Sequence, residues 1–329
     1  MTNAGEAATS SKNRFGASRR VLTAALSRSI GAALVLVALT SLVFLALRVL
    51  PGDPAALVLG DEAPESARAV LRARLGLDRS LFAQYVGFVA GLVTGNLGES
   101  LSRPGVAAFA EVFRALVPTA ALAGVSVTLG AVAGVVAAVF AVGPWLGAAR
   151  EWIHRAMIVV AAAPLVAFAP IVTFFFAVRT RLVPLPGDPE SGLAGLLFAA
   201  GLLALPLAAQ VGRMGRAALL DQVRAKYLDV ARAKGASAVR VWVVHALPVA
   251  SAPIAVVVAT QLGALLGGAV VLERLFERPG LGTLMLNAYA ARDIPVLEAS
   301  VAAAGFCFVV AQGAAAAVAA VVDPRGHVP

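Results

Sequence analysis

The sequence predicts an all-α membrane protein with six transmembrane helices, and three observations predict it. Of the 329 residues, 60% are hydrophobic and only 14% charged, whereas soluble domains are about half apolar and about a quarter charged. The mean hydropathy is +0.87. Six uncharged runs approach or exceed the roughly 20 residues needed to cross a bilayer core about 30 Å thick. Finally, alanine and glycine are abundant while aromatics make up 6%. Small residues let membrane helices approach closely, so a helical bundle fits better than a barrel.

In chain order, residues 1–28 form an N-terminal tail, of which the first 20 are polar with too little apolar content to fold. Residues 29–50 hold the first helix, around the uncharged run 30–47. That run is longer than the apolar part of a secretory signal and no small-x-small cleavage site follows, so the helix is expected to be retained. Residues 51–114 form a segment outside the membrane. With the flanking Arg48 it carries seven basic and seven acidic residues. Residues 115–322 form a core of five spans, read from the runs 115–149, 156–178, 191–212, 246–272 and 299–322. The 35-residue run 115–149 is too long for one crossing and too short for two, so it reads as one span with an interfacial extension. Two loops interrupt the core, at 213–245 and 273–298, and residues 323–329 form a short tail.

Orientation follows from the loops. Segment 1–29 has five basic residues and one acid, and loop 213–245 has seven basic and two acidic. Loop 273–298 has three basic and four acidic residues. The basic surplus alternates along the chain, which places both termini and loop 213–245 in the cytoplasm, and 51–114 and 273–298 outside. The net charge of +9 is thereby an orientation signal. Nucleic-acid binding, the rival reading of a pI near 10.9, is disfavoured because the charge follows the loops.

Within the runs no Asp, Glu, Lys, Arg or His occurs beyond the edges. A carrier driven by protons or sodium would be expected to bury such groups. The polar residues present are Ser126, Thr128, Thr173, Gln210, Thr260, Gln261 and Gln312. Hydrogen bonding between helices is their first reading and substrate contact the second. Gly263 and Gly267 have the GxxxG spacing of closely packed helices, and Pro164, Pro170 and Pro206 are expected to kink their spans. Cys307 is the single cysteine, and His154, His245 and His327 are far apart. No metal site is expected from them. There is no glycine-rich phosphate loop: Ala-Lys-Gly-Ala-Ser at 233–237 has Lys and Gly in the wrong order. No catalytic constellation stands out either, so no enzyme activity is expected in this chain. If work is done here, a partner supplies the ATP.

The loop sequence DVARAKGASAVRVWVVHALP, residues 229–248, poses the functional question. Apolar residues at helical spacing predict a helix over 219–234, ended by Gly235 in the left-handed conformation. Ser237 is the expected N-cap of a second short helix running toward Pro248. Such a pair would make a compact basic knob. Ala231, Ala233 and Ala236 would let another protein come close. A basic loop lying on anionic headgroups is the competing reading.

This stretch resembles the EAA loop of ABC-importer permease subunits, E-A-A-x3-G-x9-I-x-L-P. Asp229 stands for Glu, Val230 for the first Ala, Ala231 and Gly235 match, His245 replaces Ile, and Leu247 and Pro248 close the motif. Further similarity to the first permease of dipeptide, oligopeptide and nickel importers lies in FLALRVLPGDP (44–54), LGLD (75–78) with Gln84 and Tyr85, and GNLGES (95–100). It continues in GGAVVLE (267–273), Phe276, PGLG (279–282), Arg292 with Asp293, and DPR (323–325). Pro51 to Pro54, Gly280 and Gly282 read first as turn residues.

The resemblance implies an ABC importer type I permease fold in the plasma membrane of a bacterium or archaeon. It implies a second homologous permease completing the path, two ATPase subunits that bind the ATP, and an extracytoplasmic substrate-binding protein. No cofactor belongs to this chain itself. The coupling residues it implies are Asp229, Ala231, Ala233, Gly235, Leu247 and Pro248. Asp229 is expected in charged or capping contacts, Gly235 at the helix-to-helix turn, and Ala231 and Ala233 at points of close approach. Peptide is the commonest cargo of such a family, with nickel and glycosides among the others. The residues lining the substrate path are not identified by it. A stand-alone carrier or channel, and a membrane scaffold, remain the alternative readings.

Overall fold

The structure, a computed structural model, describes residues 31, 33–49, 54–60, 63–267 and 269–322. The expected tails 1–28 and 323–329, and residues 51–53 of the first expected turn, lie outside the described residues. Among the described residues every regular element is helical, apart from one isolated antiparallel bridge between Glu99 and Ala107.

Four helices are long and apolar enough to cross a membrane: α5 (Ala108–Val142), α8 (Gly192–Gln222), the continuous helix Ala238–Leu266 and the stretch Ile294–Ala315 of α14 (Ile294–Val322). Ala238–Leu266 comprises α10 (Ala238–Arg240), a π-helical turn Val241–Ala246, and α11 (Leu247–Leu266). Before these come α1 (Ala33–Val49), α2 (Pro54–Leu59), α3 (Glu65–Arg74) and α4 (Leu81–Thr94). Helix α1 is apolar but its described length is short of a span. The described residues therefore give four or five crossings and do not reach the expected six.

The expected third span is a bent pair. Helices α6 (Ala149–Ala162) and α7 (Leu165–Thr173, continued as a π-helix Phe174–Arg179) meet at 102°. The cause is Pro164. A residue before proline is driven out of the helical region, and Ala163 is extended at ψ 121° with Pro164 itself at ψ 125°. Pro206, in contrast, sits inside a continuous α8.

Helix boundaries differ from the apolar runs in a consistent way. Helix α5 starts at Ala108 rather than 115 and contains Glu111 and Arg114, and α14 starts at Ile294 and contains Glu298. Glu111 is paired with Arg103 and Glu298 with Arg48, which allows each helix to begin before its uncharged run does. Helix α11 stops at Leu266, and the rest of its run forms α12 (Val270–Leu275), followed by α13 (Leu281–Ala290).

Small residues bring the long helices together. A Cβ on Gly130 would lie 2.0 Å from Leu207 Cδ2, and one on Gly134 would lie 2.7 Å from the Ala208 carbonyl oxygen. Helices α5 and α8 thus touch backbone to backbone. Gly263 serves the same purpose between α11 and α14, where a Cβ would meet Ala311 at 2.9 Å. Gly267, the other half of the expected GxxxG, approaches only its own helix and the Ala304 carbonyl, at 3.4 Å or more.

Candidate functional site

The loop between α8 and α11 is largely helical, but not as two free helices. Helix α8 continues to Gln222, three residues turn, and α9 (Lys226–Ala233) follows. The expected helix over 219–234 is therefore broken at 223–225. The expected second helix is the start of the next span, so Leu247 and Pro248 lie in the first turn of α11 rather than at a loop end. Leu247 is half-buried against Val211 and Ile254, and Pro248 is exposed.

The termination of α9 follows from hydrogen bonding. The last carbonyls of a helix need donors beyond its end. Here Gly235 N–H donates to the Arg232 carbonyl at 2.9 Å, and Ala236 N–H donates to the Ala231 carbonyl at 3.1 Å. This pair of bonds is the Schellman motif, which needs a left-handed residue at the position Gly235 occupies, φ +80°. A Cβ there would meet nothing within 4 Å. Backbone strain alone is what demands glycine. Ser237 caps the following helix by accepting from Arg240 N–H at 3.4 Å.

Helix α9 has two unlike faces. Leu228 and Ala231 are buried among Val139 and Val142 of α5, Leu219 of α8, and Val241, Trp242 and Ala246. Ala231, expected to meet a partner, instead packs inside this chain, because it stands three residues from Leu228 on the same face. The outward face carries Lys226, Asp229, Val230, Arg232, Ala233 and Lys234. Asp229 accepts from Arg232 at 2.7 Å, with both side chains largely in solvent. Tyr227 donates to Gln222 Oε1 at 3.1 Å, and partial burial raises its hydroxyl above the ordinary 10.0.

A second constellation lies at the opposite end of the bundle, where α1, α4, α5, α13 and α14 meet. Glu298 on α14 is 6% exposed and pairs with Arg48 at 2.6 Å. Arg48 also donates to Gln84 Oε1 at 2.9 Å and lies 3.5 Å over the Phe44 ring. Tyr85 stacks edge-on to Phe44 and shares a 2.7 Å hydrogen bond with Ser41. Asp293, buried, accepts from Ser100 Oγ at 2.5 Å and from Ser102 N–H at 3.0 Å. A cavity of about 600 Å³ opens between these groups, lined by Arg48, Gln84, Phe88, Ser100, Pro295 and Glu298 among others.

Glu273 is the most enclosed carboxylate, 1% exposed. It accepts from Thr119 Oγ1 at 2.6 Å and from Thr283 N–H at 2.9 Å, while Thr119 accepts from Leu281 N–H at 2.8 Å. Gly280 is the N-cap of α13 and Gly282 lies in its first turn, and neither needs glycine for a left-handed φ. They make room for this carboxylate: a Cβ on Gly280 would lie 2.3 Å from Glu273 Cδ, and one on Gly282 2.9 Å from its Oε2.

Comparison with known proteins identifies the family. The family "binding-protein-dependent transport system inner membrane component" matches residues 130–327, and its N-terminal membrane-component model matches residues 21–117. The chain belongs to this family. Among relatives of this importer-permease family, the glutathione transport system permease protein GsiC of Escherichia coli CFT073 is 32% identical over 85% of this chain and 91% of its own length. The probable peptide ABC transporter permease protein y4tP of Sinorhizobium fredii is 32% identical over 78% and 83% respectively. The fold is like that of the MetNI methionine ABC transporter in inward-facing conformations, with TM-score 0.52 and 18% identity, over 64% of this chain and 96% of that one.

The importer permease is thus a multi-pass protein of the bacterial inner membrane. Its family resemblance at Phe44, Gln84, Tyr85, Ser100, Glu273, Gly280, Gly282 and Asp293 gains a physical meaning. These residues are partners in the three polar clusters. Arg48 lies inside the family-like motif 44–54, but Thr119 and Glu298 were missed as members, as was the pairing of Arg48 with Glu298. The signal for Arg48 and Glu298 was present, as two opposite charges at the edges of two apolar runs.

Proposed function

We propose that this chain is one half of the translocation path of an ATP-driven importer, that it pairs with a second homologous permease, and that α9 is its contact with one of two ATPase subunits. Family membership supports ATPase and binding-protein partners in general, and sets aside the stand-alone carrier and the scaffold. Peptides or a similar small polar solute are the cargo most in keeping with the relatives' names. Both termini and α9 lie in the cytoplasm on this reading, as the basic surplus of loop 213–245 favours. The chain contributes no ATP chemistry.

The observation that carries the coupling role is the two-faced build of α9. Its buried face is seated on the ends of α5, α8 and the helix leading into α11. A push on its outer face cannot be absorbed locally, because packed interfaces shift between discrete arrangements rather than deform. Closure of the ATPases on α9 would pass to three spanning helices at once and switch the cavity between its two faces. Asp229 and Ala233 of α9 offer the outer contact, Ala231 fixes its seat, and Gly235 just beyond it fixes the turn.

The test is purification of the tagged chain from its native membrane in mild detergent, with mass spectrometry of what accompanies it. A second permease and P-loop ATPases are expected, with the ATPases lost on Asp229→Lys or Gly235→Val while membrane insertion persists. Recovery of the chain without ATPases, or normal uptake by Gly235→Val, would sink the assignment.

A further inference from the structure

The spanning helix that contains α11 is the least covered of the four. Of its most apolar window 28% is buried, against 44% for each of the other three. A helix facing lipid on its open side should be apolar there, yet α11 carries Thr260 and Gln261 inside an uncharged run. Beside it on α8, Gln210 is exposed between buried Ala209 and Val211. Gln261 Nε2 donates to Gln210 Oε1.

One bond does not satisfy this pair. Two primary amides carry four N–H donors and as many acceptor lone pairs, and one bond uses a single donor. Neither amide has another hydrogen-bond partner among the described residues. In hydrocarbon such groups have no water to turn to, and polar side chains within spans face a protein interior or a water-filled cavity instead. An under-satisfied amide pair joining exposed Gln210 of α8 to half-buried Gln261 of the least covered helix is therefore not a lipid-facing surface.

We propose that Gln210 and Gln261 line the water-filled translocation path, on the face this chain turns toward the second permease. The proposal rests on the reading of the chain as half of a path. It gives that path a defined chemistry: donors and acceptors without charge. Such a lining suits a polar solute presenting hydrogen-bonding groups, as peptide amides do. It passes such groups without trapping a cation or an anion.

Cysteine accessibility tests this on the assembled importer in native membranes. In a Cys307→Ala background, Gln210→Cys and Gln261→Cys are exposed to a water-soluble quaternary-ammonium methanethiosulfonate and, separately, to lipid-soluble N-phenylmaleimide. Ser126→Cys, at a fully buried position, sets the background. Water in the path predicts reaction of both variants with the water-soluble reagent about tenfold or more faster than Ser126→Cys. Reaction with the maleimide alone, or with neither reagent above background, would place the amides against lipid or in a dry interface and overturn the proposal. If the Gln261→Cys chain does not assemble, Gln210→Cys carries the test. The ATPases in the same preparation are scored by mass spectrometry, so failure of the importer reading is seen separately from absence of water at the pair.

Discussion

The two ends of this bundle both pack apolar side chains, but only one of them adds buried carboxylates. At the α9 end the anchoring is apolar: Leu219, Leu228, Val241 and Trp242 are buried together, and the charges of α9 stay in solvent. At the α4 end an apolar cluster of Val112, Leu281, Ala288 and Val296 is supplemented by buried polar ties: Glu273, Asp293 and Glu298 are each buried by 94% or more and link helices far apart in sequence. Apolar packing is non-directional and roughly proportional to area. It suits a seat that must carry a load whichever way it is pushed. Buried carboxylates are directional and costly when unpaired. They suit an end where several short helices must take one arrangement. The difference predicts different responses to mutation.

The largest effect is expected at Arg48. Its replacement by Met leaves Glu298 buried without a cation and Gln84 without its donor. Breaking a buried pair from one side costs about 3–5 kcal/mol, whereas replacing both partners by apolar groups can be nearly neutral. The thermal midpoint of the purified complex should fall sharply for Arg48→Met and recover in Arg48→Met/Glu298→Leu. Equal midpoints for the single and double variants would show that the pair is not what closes this end.

The next effect belongs to the apolar seat. Leu228 is fully buried, and Leu→Ala at such a site costs roughly 3 kcal/mol. Helix α9 is short, so the loss is expected as local detachment rather than global unfolding. Trypsin should cut the Leu228→Ala chain faster at Lys226, Arg232 and Lys234, with the thermal midpoint of the spans little changed. An unchanged digestion rate would refute the seat.

The α9 end was the more legible of the two in the sequence. The turn at Gly235 and the cap at Ser237 are local features, set by residues within a few positions of one another, whereas the break at 223–225 that splits the expected helix 219–234 was not legible. Which face of α9 turns inward was not legible, so Ala231 was expected outside. Periodicity shows that a helix has an apolar side but not whether its own chain or a partner covers it. The α4 end depends on pairings between residues 154 or more apart, Thr119 with Glu273, Ser100 with Asp293 and Arg48 with Glu298. Motifs holding Arg48, Ser100, Glu273 and Asp293 were visible, but only the fold pairs them and brings in Thr119 and Glu298. The glycines show the same divide. Gly235 was recognised because a left-handed turn is a local demand. Gly280 and Gly282 were read as turns because the sequence pattern does not show that the Glu273 side chain folds back against them.

Smaller effects sharpen the role of the α9 turn. Gly235 sits at φ +80° with open space around a would-be Cβ, so substitution costs conformational strain and nothing else. Ala should cost about 1–2 kcal/mol, Asn less because it tolerates the left-handed region, and β-branched Val more. Uptake per ATP hydrolysed should fall in the order Asn, Ala, Val. A flat series would mean that the turn is not under strain or does not matter to coupling.

The smallest effect on stability is expected at Asp229, and it separates structure from contact most cleanly. Its carboxylate is 67% exposed and its bond to Arg232 spans three residues on a solvated face. Such pairs contribute about 0–1 kcal/mol and lose that in salt. Asp229→Asn should leave both the thermal midpoint and trypsin digestion of α9 where they are, because nothing buried depends on the charge. If α9 docks on an ATPase, ATPase recovery with the complex should nonetheless drop, and raising the salt should narrow the gap between the two chains. A midpoint shift as large as that of Leu228→Ala would mean that Asp229 holds α9 in place. Unchanged ATPase recovery would mean that its charge faces only water. The proposed role requires loss of the partner from an otherwise intact helix.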